Sequence, residues 1–172
     1  MTKQELEVCI GTYGKEIYSF CKYLTCDTSE ADDLYQDTFL KAVERQAIIN
    51  NEANPKSWLL SAAIRIWKNR KRKYAWRKRI ADITPLENHD GYLSDEDESS
   101  PEENILLEEE KRAVRQAVSA LPDRLRIVVL LYYMEELQLT EIAAILKTPV
   151  GTVKSRLHQA RRLLSENLKQ LG

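Results

Sequence analysis

Five glycines and five prolines in 172 residues leave little to interrupt a helix, and no alternating apolar–polar stretch is long enough to compete as a strand. Long apolar runs are missing as well. The longest, beginning at Ile127, is far short of a membrane span, so direct membrane insertion is not expected. The start, Met-Thr-Lys-Gln-Glu-Leu-Glu, has no hydrophobic stretch after a basic one and reads as no signal peptide. Cysteine is limited to Cys9, Cys21 and Cys26, odd in number and without a C-x-x-C pair, which suits buried, reduced thiols in a cytoplasmic protein. Histidine is limited to His89 and His158, too far apart in the chain to suggest a metal set. Neither a metal nor another cofactor is expected.

An excess of charge of either sign is also missing from the sum, because 26 basic residues meet 27 acidic ones for a net charge of −1. The sum conceals segregation. Residues 1–80 carry 15 basic and 10 acidic groups, residues 81–110 carry 12 acidic and no basic ones, and residues 111–172 carry 11 basic and 5 acidic ones. Two positive blocks flank a negative one, a pattern that points to a polyanionic partner for each end. With 43% hydrophobic residues, the chain has enough apolar material for cores.

What is present repeats at three and four. Leu6, Ile10, Tyr13, Ile17, Phe20 and Leu24 mark one face of a first helix. A break at Asp27-Thr-Ser follows, with Thr28 or Ser29 able to cap a second helix over about 30–46 that buries Ala31, Leu34 or Tyr35, Phe39 and Val43. Asn50 to Pro55 reads as a loop, and Pro55 suits the first turn of a third helix running to Lys73 or beyond. Residues 82 to about 104 are acidic, turn-rich and poor in aliphatics, and read as a flexible linker. Helical spacing resumes at Ile105 and continues to about Leu121, where Pro122 interrupts it. Asp123 to Met134 is apolar enough to lie inside a small core, and two short helices follow around Lys147-Thr-Pro. The expected fold is all-α: domains at 1–80 and 105–172, joined by an acidic linker at 81–104.

The last two helices have the spacing of a helix-turn-helix. Thr140 is placed to cap the first, in which Ile142, Ala143 and Leu146 face inward, with Ala143 small enough for a close crossing. In the second, Val153, Leu157, Ala160 and Leu164 form a seam, while Gly151, Lys154, Ser155, His158 and Arg162 gather on another side, flanked by Gln159 and Arg161. Such a helix holds core contacts while offering donors to base edges in a major groove. Lys147 stands in the turn where glycine is often found. A helical hairpin with a solvated basic face is the plain alternative.

The third helix carries nine Lys or Arg between Arg65 and Arg79, with Trp67, Tyr74 and Trp76 interleaved. Neutralised phosphates account for the charge and stacked, unpaired bases for the rings. Trp58 and Trp67 are half a turn out of phase and do not face the same core. Trp58 is expected to pack, while Trp67 and Trp76 are open between packing and nucleic-acid contact.

Four motifs in order resemble the extracytoplasmic-function (group IV) sigma factors of bacterial transcription initiation. Asp33-Leu-Tyr-Gln-Asp-Thr-Phe resembles the family's polymerase-binding helix, and Pro55-Lys-Ser-Trp-Leu-Leu the opening of its −10-reading helix. Leu121-Pro-Asp-Arg-Leu-Arg resembles the entry to its second domain, and Pro149-Val-Gly-Thr-Val-Lys-Ser-Arg-Leu-His-Gln-Ala-Arg its −35 recognition helix. The resemblance implies no enzymatic chemistry. It implies binding to core RNA polymerase through Asp33, Leu34, Gln36 and Asp37, with Asp33, Gln36 and Asp37 forming an exposed strip and Leu34, Phe39 and Val43 serving mainly the core. It further implies that Lys56, Ser57, Arg65, Lys68, Asn69 and Arg72 follow the melted −10 strand of promoter DNA. At the −35 duplex, Lys154, Ser155, His158 and Gln159 would face bases, with Thr152, Arg156 and Arg161 at the backbone. The linker would thread through polymerase channels lined with cations. An anti-sigma factor, often membrane-anchored in the family, is an implied partner. Arg65 departs from the family, which usually has Asn there, and Ser61 replaces the preceding Arg, so the preferred −10 base is expected to differ.

Two other classes compete. A helix-turn-helix regulator that never touches core polymerase accounts for 139–165 but leaves Asp33, Gln36 and Asp37 without a role. A nuclease would want clustered metal-binding carboxylates near the basic groups, and the acidic run reads as a linker instead.

Overall fold

The computed structural model describes residues 2–49, 54–81 and 105–171, and its regular elements there are all helical. The chain divides into two compact units, Met1–Leu93 and Ser94–Gly172. The expected acidic linker (apart from Ala81), His89 and residues 50–53 of the expected loop lie outside the described residues.

The first unit packs α1 (Lys3–Thr25), α2 (Thr28–Glu44) and α3 (Pro55–Ala81) around one another. Thr2 and Glu5 open α1 with a reciprocal cap: the Thr2 N–H donates to Glu5 Oε2 at 2.6 Å, and the Glu5 N–H donates to Thr2 Oγ1 at 3.3 Å. Cys26 ends α1 in the left-handed region at φ 57°. Only Cys26 and Asp27 separate α1 from α2, so Asp27, not Thr28 or Ser29, is the N-cap. Its backbone is extended and its carboxylate accepts the Glu30 N–H at 3.1 Å.

Ile17, Phe20, Leu24, Ala31, Leu34, Leu59, Leu60 and Ala63 form the core, each no more than 1% exposed. Burying a side chain such as Ile17, Phe20 or Leu24 stabilises the unit by about 1.5–3 kcal/mol. Val43, expected inside, is 51% exposed, and Ala42 is buried in its place. The reason is angular. The buried stripe runs through Ala31, Leu34, Thr38 and Ala42, and position 43 is about 100° further round the helix. Of the tryptophans left open between packing and nucleic-acid contact, Trp67 packs at 4% exposure and Trp76 is exposed, while Trp58 is half-buried. Beyond Trp67, α3 leaves the core, and residues 71–80 are exposed throughout.

The second unit contains α4 (Ile105–Ser119), α5 (Asp123–Val129), a π-helical turn (Leu130–Met134), α6 (Leu139–Leu146) and α7 (Val150–Leu171). Leu125, Ile127, Val128, Leu131, Ile142 and Val153 meet at its centre. Arg126 is buried at the corner between α4 and α5. Its Nη1 donates to the carbonyls of Ser119 and Leu121 at 3.1 and 3.2 Å, and its Nη2 to Asp123 Oδ1 at 2.8 Å. It satisfies carbonyls that the end of α4 leaves open.

The expected helix over 123–134 does not stay α. The Glu135 N–H reaches back to the Leu130 carbonyl at 3.1 Å, an i→i−5 bond that inserts one extra residue into the turn. Leu130 and Leu131 remain buried while Tyr132 is half-buried and Tyr133 is 52% exposed. Thr140 is not the cap of α6. The helix begins two residues earlier than that cap implies, with Gln138 extended at the N-cap and its N–H donating to Glu141 Oε2 at 3.2 Å.

Candidate nucleic-acid interface

In the second unit, α6 and α7 cross through Ile142, Ala143 and Leu146 on one side and Val153, Leu157 and Ala160 on the other, all buried. Ala143 is buried at this crossing, facing inward as expected. The turn between them bends at Lys147, which sits at φ 53° and ψ 45°. The Thr148 N–H bonds back to the Ala143 carbonyl at 3.1 Å and the Lys147 N–H to the Ala144 carbonyl at 3.4 Å, the paired closure typical of a glycine-terminated helix. Here a lysine adopts it.

With its seam fixed against α6 and α5, α7 turns its other side outward. Gly151, Lys154, Ser155, His158, Gln159, Arg161 and Arg162 are exposed, while Thr152 and Arg156 are half-buried. Lys154, Ser155, His158 and Gln159 span about 140° of the helix, opposite the buried seam. Arg161 does not project alone. Its Nε donates to the Tyr133 hydroxyl at 2.7 Å, and its Cζ lies 5.7 and 5.8 Å from the ring centroids of Tyr132 and Tyr133. The Tyr133 hydrogen bond is the largest cause holding the Arg161 pKa above its ordinary value.

In the first unit, Arg65, Lys68, Asn69 and Arg72 are all exposed and fall within about 100° of one another around α3. Arg72 Nη2 donates to Asn69 Oδ1 at 2.8 Å. Lys56 and Ser57 are half-buried at the start of the helix, and Lys56 Nζ lies 2.6 Å from Glu16 Oε2 of α1. Lys71 Nζ is 4.7 Å from the Trp67 ring centroid, so the buried tryptophan supports the basic face instead of offering its ring to a base.

Of the four positions associated with polymerase binding, Asp33 and Gln36 are exposed on α2. Leu34 is fully buried and therefore belongs to the core. Asp37 is half-buried and paired with Arg70 of α3. That ion pair spans 33 residues, and no local spacing announces it. Leu40 and Val43, 61% and 51% exposed, extend the outward strip beyond Gln36 at the same three-and-four spacing. Neither is among the motif's polar positions, and Val43 is expected from the sequence to lie in the core. Among the described residues, no group of three or more His, Cys, Asp or Glu is placed to hold a metal.

Comparison with known proteins places both units. The sigma-70 region 2 family model matches residues 9–77, and the sigma-70 region 4 model matches residues 111–164. The chain is 30% identical over 166 residues to the ECF RNA polymerase sigma factor SigW of Bacillus subtilis, covering 94% of this chain and 88% of that protein. It is 29% identical over 171 residues to the RNA polymerase sigma-H factor of Pseudomonas aeruginosa, covering 98% and 89%. Among solved structures, it is similar to the sigma factor RpoE in complex with the anti-sigma factor NepR from Bartonella quintana. The TM-score is 0.70 at 24% identity, covering 97% of this chain and 96% of that one, a likeness of fold.

Proposed function

The chain belongs to the extracytoplasmic-function sigma factors of the sigma-70 family, and from that membership we propose a division of work between its two units. As an alternative sigma factor it binds core RNA polymerase and directs promoter-specific initiation. Residues 1–80 hold core polymerase through Asp33, Gln36 and Asp37 and guide the melted −10 strand along Arg65, Lys68, Asn69 and Arg72, with Lys56 and Ser57 at the start of that path. Residues 105–172 read the −35 duplex through α7, and residues 81–104 link the two. Initiation asks no covalent chemistry of this chain.

The observation that carries the −35 assignment is the division of α7 into a buried seam and an exposed face of Lys154, Ser155, His158 and Gln159. A lysine there donates to guanine O6 or N7 and a glutamine pairs with adenine, so Lys154 and Gln159 carry most of the base discrimination. Thr152, Arg156 and Arg161 lie at its edges and serve the phosphates.

An anti-sigma factor is the proposed regulatory partner, supported by family membership and by the similar Bartonella quintana sigma factor that is complexed with one. No helix among the described residues is long and apolar enough to cross a membrane, and the proposed site of action is the cytoplasm.

Transcription by reconstituted holoenzyme over a library of −35 variants tests the reading. Lys154→Ala is expected to cost about 1–3 kcal/mol at one base position and relax the preference there. A uniform loss with the preferred sequence unchanged would reduce Lys154 to an electrostatic contact and place the base-reading face elsewhere on α7.

A further inference from the structure

Arg161 is a cation on an exposed helix face, yet its partners among the described residues are a phenol and two rings, with no carboxylate. The difference matters electrostatically. A carboxylate would fix the guanidinium in place but cancel its charge, and would itself repel a phosphate. A neutral phenol oxygen fixes the same group while leaving the full positive charge outward. The fork has five N–H donors. The Tyr133 hydroxyl accepts from Nε, which leaves the four Nη donors to another acceptor. Because that hydroxyl oxygen is already the acceptor from Arg161, its own proton points away from the guanidinium and is a further donor.

Both side chains are held from behind. The rings of Tyr132 and Tyr133 meet edge to face, with centroids 4.9 Å apart and planes at 85°. They are presented by the π-helical turn, whose extra residue carries Tyr133 out of the buried register of Leu130 and Leu131. Arg161 follows Lys154 by seven positions, which returns it to within about 20° of the same face and about 10 Å further along the axis. A helix whose first turns enter a groove about 8.5 Å deep therefore brings this position to the level of the sugar–phosphate wall, not the base edges.

We propose that Tyr133 and Arg161 together form a phosphate clamp, in which the phenol both positions the guanidinium and donates to the DNA backbone beside the −35 element. The clamp rests on the α7 reading given above and assigns a DNA-contacting role to Tyr133, a residue outside the helix-turn-helix. It contributes affinity and fixes the register of α7 on the duplex, and it contributes nothing to base choice.

The test uses full-length chain in reconstituted holoenzyme, with Tyr133→Phe, Arg161→Ala, Arg161→Lys and the Tyr133→Phe/Arg161→Ala double variant measured on the −35 library across a salt series. Tyr133 is half-exposed, and phenylalanine keeps its ring, so circular dichroism and the thermal midpoint should stay unchanged. Tyr133→Phe is expected to weaken binding to every −35 variant by about three- to tenfold, the range of one lost hydrogen bond, without altering base preference or salt slope. Arg161→Ala should flatten the salt slope by about one unit. Arg161→Lys should keep the slope but lose affinity, because it lacks the Nε donor and the planar fork. In the double variant the loss from Tyr133→Phe should shrink to that of the hydroxyl's own donation to the backbone, since no guanidinium is left for it to position.

A silent Tyr133→Phe overturns the clamp, and strictly additive losses overturn the coupling between the two residues. Lys154→Ala in the same library separates this from the parent reading. If it shifts base preference while Tyr133→Phe is silent, only the clamp fails. If Lys154→Ala also leaves base preference unchanged, the placement of α7 in the groove fails with it.

Discussion

Lys147 is a residue whose identity conflicts with its backbone. At φ 53° an L side chain crowds its own carbonyl, whereas glycine does not. The sequence showed a lysine where a turn commonly wants glycine, and only the backbone torsion shows that the turn kept its left-handed geometry regardless. Lys147→Gly is expected to stabilise the second unit by about 0.5–1 kcal/mol, read as a rise of a few degrees in its thermal midpoint. A fall would mean the lysine side chain contributes packing that outweighs the strain. Cys21 illustrates the opposite case, where the residue type already forecast its environment. Burial pushes its thiol up to about 12 from an ordinary 9.0. The folded state therefore favours the neutral thiol, and this contribution is complete below pH 9 and lost as pH rises towards 12. Each pH unit within that window removes about 1.4 kcal/mol. Denaturant titrations at rising pH should show stability declining from about pH 9, and Cys21→Ala should flatten that decline even if it lowers stability at neutral pH.

Most helix boundaries were legible to within a few residues, because apolar spacing and Pro55 and Pro122 fix where helices can run; the last helix, expected to be short, instead runs over Val150–Leu171. Caps were less so. Asp27, Thr28 and Ser29 are all good capping residues, and the choice among them depends on where α1 ends. The π-helical turn left no sequence signal at all, since Leu130–Met134 reads as plain apolar helix. Two helical glycines separate stability from function. A Cβ at Gly11 in α1 or at Gly151 in α7 would meet nothing within 4 Å. Gly11→Ala and Gly151→Ala should both stabilise the unliganded chain, by up to about 1 kcal/mol in mid-helix, read as a higher thermal midpoint. Gly151 lies on the proposed DNA face, so Gly151→Ala should in addition weaken −35 binding, as added bulk holds the helix away from the backbone. Equal DNA affinity for the two variants would move Gly151 off the interface.

Over the whole molecule, two basic units on either side of an acidic stretch account for an almost neutral protein that works on polyanions. The proposed docking surface for polymerase extends beyond the motif. Asp33 and Gln36 lead into Leu40 and Val43, an exposed mixed strip on α2, while Asp37 is tied to Arg70. Asp33→Ala with Gln36→Ala is expected to weaken binding to core polymerase about tenfold or more, as contact residues near the centre of an interface do. The helical circular-dichroism signal should remain intact. Unchanged affinity in a competition assay against another sigma factor would remove the strip from the docking surface.

The sequence alone determined the all-α class and the family, because periodic apolar residues and ordered short motifs are local properties of the chain. It also located the exposed face of α7 that is proposed to read DNA, since a helix with one apolar seam has only one side left for a partner. Tertiary packing decided which residues near each motif are available. It buried Leu34 and Trp67, exposed Val43 and paired Asp37 with Arg70. It also set Tyr133 beneath Arg161, 28 positions away. Such pairings depend on the angle at which two helices cross and on single residues added to a turn. A rotation of about 100° changes a side chain from core to surface, and no one-dimensional spacing records which way the neighbouring helix lies.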